Sequence, residues 1–392
     1  MTRTLVVTND FPPRQGGIET FVHAMTSRFP ADEVVVHTSR APGWEAYDAT
    51  LPYPVVRAPV RTLLPTRRTA ARSAAIARRY GCDRVWFGAA APLGLMAHRL
   101  RGATGIRTAV ATTHGHEVWW ARTPGARGLL RRVGARADTV TYLGASTLAP
   151  IAAAMGPGAR LERLVPGVDT GVFRPGLDPA PVRERYGLGD RPVILCAARL
   201  VTRKGQDTLI RALGRVRCAV PDAVLLLVGD GPDERRLRRL AAAYEVADRV
   251  VFAGGHPHGA MPSFYAAADV FAMPCRTRKR GLEVEGLGIV FLEAAASGLP
   301  VLVGDSGGAP DAVRDGETGY VVDGRSGAAV ADRLVRMLTD PPLARAMGEK
   351  GRERVRTEWS WDRSYERLVA LLDGQPGQRR RGLFDGVDQG DA

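Results

Sequence analysis

The stretch Glu285-Gly-Leu-Gly-Ile-Val-Phe-Leu-Glu293 carries two carboxylates eight positions apart, with glycines at 286 and 288 directly after the first. Glycines ahead of the apolar run that begins at Ile289 predict a helix entrance. Such an entrance offers free backbone N–H groups and the positive end of a dipole, which suit phosphate, whereas carboxylates suit hydroxyls. Upstream, Arg199-Leu-Val-Thr-Arg-Lys204 adds cations after an apolar strand-like run. A ligand that carries both phosphates and hydroxyls is a nucleotide sugar. Lys204, Lys279 and Lys350 are the only lysines among 55 basic residues, so a lysine kept beside Gly205 suggests that a compact ammonium is wanted there. A solvated turn lysine accounts for the same observation taken alone.

Other segments carry weaker signals. Gly16-Gly17 follows the first apolar run and precedes a helical pattern at Ile18, Phe21, Val22 and Met25, so backbone there can approach an anion closely. An ordinary strand-to-helix turn has the same appearance. His114-Gly-His116-Glu117 lacks a third fixed partner for a metal, and no metal is expected. Trp119 and Trp120 are packing residues or a lipid-facing pair. Gly229-Asp-Gly231 is not a dinucleotide fingerprint, since Gly-x-Gly-x-x-Gly is absent.

These motifs, with the opening Asn9-Asp-Phe-Pro-Pro-Arg-Gln-Gly-Gly-Ile-Glu19, resemble the retaining glycosyltransferases of GT-B fold whose signature is Glu, seven residues, Glu. The run Met273-Pro-Cys-Arg-Thr-Arg-Lys-Arg-Gly-Leu-Glu-Val-Glu-Gly-Leu-Gly288, with Thr113-His-Gly-His-Glu-Val-Trp119 and Ala91-Pro-Leu-Gly94, is similar to actinobacterial members that extend phosphatidylinositol mannosides. The resemblance implies GDP-mannose as co-substrate, no cofactor, and a phosphatidylinositol mannoside lipid as acceptor. Arg199 and Lys204 would hold the diphosphate, stabilising its growing charge as the glycosyl bond breaks. Glu285 would hold the donor sugar and Glu293 the ribose. His114, with His116 as the alternative, would meet the sugar near the reacting carbon, its ring donating a hydrogen bond; the other reading is that both histidines only orient the loop. Gly16, Gly17, Gly255, Gly286, Leu287, Gly288 and Ile289 complete the expected donor site. The segment 252–256 would select the base, and Gly255-His256-Pro257-His258 is unusual there.

Positioning these residues requires two α/β domains. Apolar runs at 4–8, 33–37, 84–87 and 107–112, then at 192–197, 223–228, 250–252, 270–273, 300–303 and 319–322, alternate with helix-length segments. Parallel sheets with crossover helices follow, giving two doubly wound Rossmann-like domains with a cleft between them. The first would span 1–170 and bind acceptor. The second, 171–361, would bind the nucleotide sugar. Proline and glycine crowd the join at 165–176. By resemblance a last helix near 362–373 crosses back to the first domain, and the Gly- and Arg-rich tail 374–392 is expected to be disordered.

Composition sets the remaining bounds. The chain has 392 residues, 24% of them charged, and a net charge of +14, which invites polyanions without choosing among them. Clustered base-reading motifs are absent, so nucleic acid is not an expected partner. Cys82, Cys196, Cys218 and Cys275 are widely spaced and read as free thiols, three of them buried. No apolar run approaches the ~20 residues of a membrane span, and the start enters a strand pattern directly. A cytoplasmic protein is expected, peripheral on the inner face of the plasma membrane. Arg67, Arg68, Arg72, Arg78 and Arg79 lie in a basic helical stretch with an apolar side, suited to an anionic membrane surface. A glycosyltransferase with another nucleotide sugar and a soluble natural-product or polysaccharide acceptor is the alternative reading.

Overall fold

Strands such as Thr4–Val7 and Val224–Val228 are buried along their whole length. Runs of this kind, apolar on both faces, are accommodated in parallel sheets covered by helices on either side. The computed structural model describes residues 2–375 and contains two such sheets. The first has seven strands: β1 (Thr4–Val7), β2 (Val34–Ser39), β3 (Val55–Ala58), β4 (Arg84–Phe87), β5 (Thr108–Thr112), β6 (Thr139–Tyr142) and β7 (Leu161–Arg163), in the order β3-β2-β1-β4-β5-β6-β7. The second has six: β8 (Val193–Ala197), β9 (Val224–Val228), β10 (Val250–Gly254), β11 (Val270–Met273), β12 (Val301–Gly304) and β13 (Gly319–Val322), in the order β10-β9-β8-β11-β12-β13. All neighbours in both sheets pair in parallel. The expected pair of doubly wound domains is present.

Each sheet reverses its winding direction once, between β1 and β4 in the first and between β8 and β11 in the second. Open parallel sheets bind ligands at the carboxyl ends of the strands flanking such a switch. The loops that follow β1, β8 and β11 are the ones that carry Gly16, Arg199 and Glu285.

Every strand read from the sequence forms, but three more exist in the first sheet. Strand β3 was hidden because Arg57 interrupts its apolar run and prolines flank it at 54 and 59. The arginine is tolerated at 6% exposure because Asp48 pairs with it at 2.8 Å and the Ser39 carbonyl accepts from it at 3.0 Å. Strand β6 is a polar Thr-Val-Thr-Tyr run, and β7 is a three-residue edge with two charged side chains. His114 therefore follows the fifth strand of its domain rather than the fourth.

The last described helix, Trp361–Leu372, packs its buried Trp361, Leu368, Leu371 and Leu372 with Val6, Phe21, Trp86 and Val110 of the first domain. Ser360 caps it by accepting from the Asp362 N–H at 3.2 Å. Two chain segments cross between the domains here, joined where the Val168 N–H donates to the Trp359 carbonyl at 3.0 Å. The expected disorder of the tail concerns residues that lie, beyond Gln375, outside the described ones. Among the described residues no helix is long and apolar enough to cross a membrane. Cys82, Cys196 and Cys275 are buried and Cys218 is exposed, all four free.

Trp361 is 7% exposed, with its ring 5.8 Å from that of Phe21. Trp361→Ala should remove about 3–5 kcal/mol of packing. The expected result is a lower urea midpoint and early proteolytic loss of the last helix.

Candidate active site

The carboxyl ends of both sheets face a cleft of about 1120 Å³. Its walls include Gly16, Gly17, Glu19 and His114 from the first domain and Arg199, Lys204, Asp230, Gly255, Glu285 and Glu293 from the second. Gly286, Leu287, Gly288 and Ile289 also line it, so all the sequence-derived donor and catalytic residues meet in one place. The arginines proposed for the membrane lie elsewhere.

The two domains touch through glycines. A Cβ on Gly115, whose φ is +95°, would lie 2.8 Å from the Gly286 Cα, and one on Gly286 would lie 2.5 Å from the His114 carbonyl oxygen. Neither gap admits a side chain. The loop after β5 consequently rests directly on the loop that precedes the helix Ile289–Ala296.

Glu285 stands four residues before that helix, not at its first turn. It is 7% exposed, and its carboxylate is held by Lys204, whose Nζ lies 3.0 Å from Oε1 and 2.9 Å from Oε2. Arg203 Nε is 4.0 Å from Oε2, and the Glu285 N–H donates to Ser306 Oγ at 3.2 Å. Lysine and glutamate thus form a nearly buried, mutually neutralising pair with a fixed carboxylate orientation. Arg199 is exposed, and among the described residues no carboxylate pairs with it. Its guanidinium and the uncapped N-terminus of Ile289–Ala296, with Gly288 in the left-handed region at φ 84°, are available to an anion.

Glu293 lies in the second turn of the same helix, 3% exposed. Its Oε2 accepts from the Tyr265 hydroxyl at 2.7 Å and its Oε1 from His258 Nε2 at 2.8 Å. Burial pushes the Tyr265 phenol well above its ordinary range, while the hydrogen bond to Glu293 raises His258. Gly255 is exposed, and its N–H donates to Asp230 Oδ1 at 2.9 Å, tying together the loops after β9 and β10.

His114 departs from expectation. Its Nε2 lies 2.6 Å from the Gly88 carbonyl, which can only accept, so Nε2 carries the proton. Burial lowers the imidazole pKa, favouring the neutral ring, with the nearby Glu117 opposing this. The remaining ring atom, Nδ1, is then an acceptor rather than a donor. Its backbone N–H donates to Glu117 Oε2 at 2.9 Å, fixing the loop. On the first-domain side, desolvation raises the Glu19 carboxyl at the cleft wall and that of Asp10 behind it above the ordinary carboxylate range.

Sequence reasoning gave no role to Tyr265, Ser306 or His258. Tyr265 sits in the short helix Met261–Ala266, whose apolar pattern reads as core. Ser306 lies in Gly304-Asp-Ser-Gly-Gly308, a turn signal after a strand that could have directed attention to it.

A group 1 glycosyl transferase model matches residues 181–354 and a glycosyltransferase family 4 model residues 15–172. The chain is 49% identical over 381 residues to a Mycolicibacterium smegmatis protein, covering 96% of this chain and 100% of that one. It is 48% identical over 388 residues to one from Mycobacterium tuberculosis, covering 97% and 100% respectively. This chain belongs to the GT-B glycosyltransferases. Both relatives are named GDP-mannose-dependent alpha-(1-6)-phosphatidylinositol monomannoside mannosyltransferase. A Corynebacterium glutamicum protein, 46% identical with 95% of this chain and 98% of that one covered, is named for a monoacylated form of the same acceptor. The fold of the transferase matches Anabaena HepE, solved with UDP, at a TM-score of 0.81 and 18% identity over 95% of this chain and all of that one.

Gly286→Ala tests the glycine contact in the transferase. The added methyl must push the His114 loop away, and a displacement near 1 Å costs on the order of 100-fold in rate. Turnover should fall by that order while the melting temperature stays within a few degrees of wild type.

Proposed function

We propose that this enzyme transfers mannose from GDP-mannose to a phosphatidylinositol mannoside, with retention at the anomeric carbon. The observation that carries this reading is full-length identity of 46–49% to relatives that share one donor and one acceptor class in their names. The cleft supplies groups of the right chemistry. Arg199, Lys204 and the N-terminus of Ile289–Ala296 meet the diphosphate, Glu293 the ribose, and Glu285 the mannose hydroxyls, its orientation set by Lys204. The acceptor approaches from the first domain, whose cleft wall also brings Gly16 and Gly17 to the donor.

As the glycosyl–oxygen bond breaks, negative charge collects on the diphosphate, where Arg199 and Lys204 stabilise it more in the transition state than in the ground state. The acceptor hydroxyl attacks from the same face, and the departing diphosphate takes its proton. In this reading the two cations do the work a metal would otherwise do at the leaving group, and the reaction uses no cofactor. Among the described residues no group of three metal-ligating side chains converges.

Membrane contact belongs to the first domain and the enzyme acts as a peripheral protein on the inner face of the plasma membrane. The helix Arg67–Tyr80 buries its apolar side, Ala70, Ala74, Ile76 and Ala77, in the core, so that side does not face lipid as the sequence suggested. Arg67, Arg68, Arg72, Arg78 and Arg79 are exposed, and the preceding loop exposes Val60 at 46% and Leu64 at 57%. This loop is tied to the cleft wall: Asn9 Oδ1 accepts from the Leu63 N–H at 2.6 Å, and Arg14 donates to the Arg61 carbonyl. Exposed cations preceded by a loop with two exposed apolar side chains suit adsorption to an anionic bilayer.

The reading is tested by presenting several nucleotide sugars with phosphatidylinositol monomannoside in vesicles. Mannosyl transfer from GDP-mannose is expected, and transfer only to a soluble acceptor or only from another donor would overturn it. Lys204→Ala and Arg199→Ala should each lose about 100-fold to 1,000-fold in turnover with circular dichroism unchanged. Full activity is expected in excess EDTA after desalting. The triple variant Arg67→Glu, Arg68→Glu, Arg72→Glu should sediment less with anionic liposomes and turn over lipid acceptor more slowly, while acceptor-free hydrolysis of GDP-mannose is unchanged. Wild-type sedimentation should fall steeply with salt, as screened attraction requires.

A further inference from the structure

Both oxygens of Glu293 are engaged within the protein, but by partners held very differently. Tyr265, which serves Oε2, is 1% exposed and packed between Phe173 and Phe271, with ring centroids 5.7 Å and 5.8 Å away. His258, which serves Oε1, has a side chain 54% exposed. It begins the short turn His258–Ala260, shortly after Gly254-Gly255, and is packed by Phe173 at a centroid distance of 5.4 Å. The Glu293 side chain is only 4% exposed although it borders the cleft. A ribose diol needs acceptor positions on the cleft edge of this carboxylate, so a covering group has to move. Tyr265 is locked in the core, whereas His258 is free to turn outward.

We propose that His258 is a latch on the donor site, capping Oε1 of Glu293 and displaced from it by a ribose hydroxyl when the nucleotide sugar binds. The proposal rests on the assignment of Glu293 to the ribose. The latch makes the donor compete with a charge-assisted hydrogen bond inside the protein. A ligand with phosphates but no ribose cannot make that exchange.

Proton linkage follows from the same geometry. His258 faces the Glu293 carboxylate and the uncharged Phe173, and Tyr265 serves the other oxygen of the same carboxylate; His256, two residues earlier, is directed to the Tyr186 hydroxyl at 2.9 Å. The hydrogen bond to Glu293 raises His258 above its ordinary 6.5, with burial opposing it in part. Turned out to solvent, the imidazole returns toward the ordinary value, so donor binding releases a proton in the interval between the two values. Affinity is then flat below about 6.5 and rises with pH through the raised value.

Calorimetry of GDP-mannose without acceptor, in two buffers of different ionisation enthalpy at pH 6.5 and 8.5, reads both quantities. The sugar diphosphate has no group titrating in this range. Wild type should release a fraction of a proton and bind more tightly at pH 8.5. His258→Ala should release none, show no pH dependence, and bind at least about threefold more tightly than wild type at pH 6.5. His258→Gln, which keeps a neutral donor, should fall between them in affinity and also release none. Weaker binding by His258→Ala, or no proton release by wild type, overturns the latch. Glu293→Gln separates the two levels: weakened binding there leaves the ribose assignment standing even if the latch fails, whereas wild-type affinity removes that assignment and the latch with it.

Discussion

The seam where Gly115 lies against Gly286 is the constraint on which the rest of the site depends. A parallel sheet delivers its ligand-binding loops to one end, but each sheet alone supplies half of the chemistry: a neutral histidine and the half-buried Glu19 from the first, cations and two ordered carboxylates from the second. They become one site only because two backbone segments approach more closely than any side chain permits. Glycine at these positions is a steric requirement for contact between domains, beyond the conformational freedom that Gly115 also needs.

Electrostatics within the cleft follows from burial and pairing. On the first-domain side desolvation raises Asp10 and Glu19 above the ordinary carboxylate range. In the second domain, Lys204 neutralises Glu285, while Tyr265 and His258 hydrogen-bond the two oxygens of Glu293, so both carboxylates stand beside an anion-binding helix terminus with partners of their own. Arg199, exposed in the cleft, has no carboxylate partner among the described residues.

Much of this was legible in the chain itself. Uninterrupted aliphatic runs marked the strands buried on both faces, and the Glu-x7-Glu, Arg-x4-Lys and Gly-Gly spacings brought together residues that do meet in the cleft. Strand β3 was not legible, because a buried arginine is made acceptable by Asp48, a partner outside the strand. Tyr265 and Ser306 act on the two glutamates from elements with ordinary core or turn patterns. The state of His114 depends on the Gly88 carbonyl, 26 residues away, and so could not be read locally. The basic helix shows the converse: its apolar face was correctly seen, but the spacing of apolar residues along a helix does not tell whether that face meets lipid or the protein's own sheet.

The claim that one sugar is held from both domains across the glycine seam is tested most directly by a double-mutant cycle on kcat/KM with His114→Ala and Glu285→Gln. If both loops act on the same bound mannose, the losses will be strongly non-additive, with a coupling of about 1 kcal/mol or more. Losses that add to within about 0.5 kcal/mol would contradict the account, because the two loops would then be acting independently.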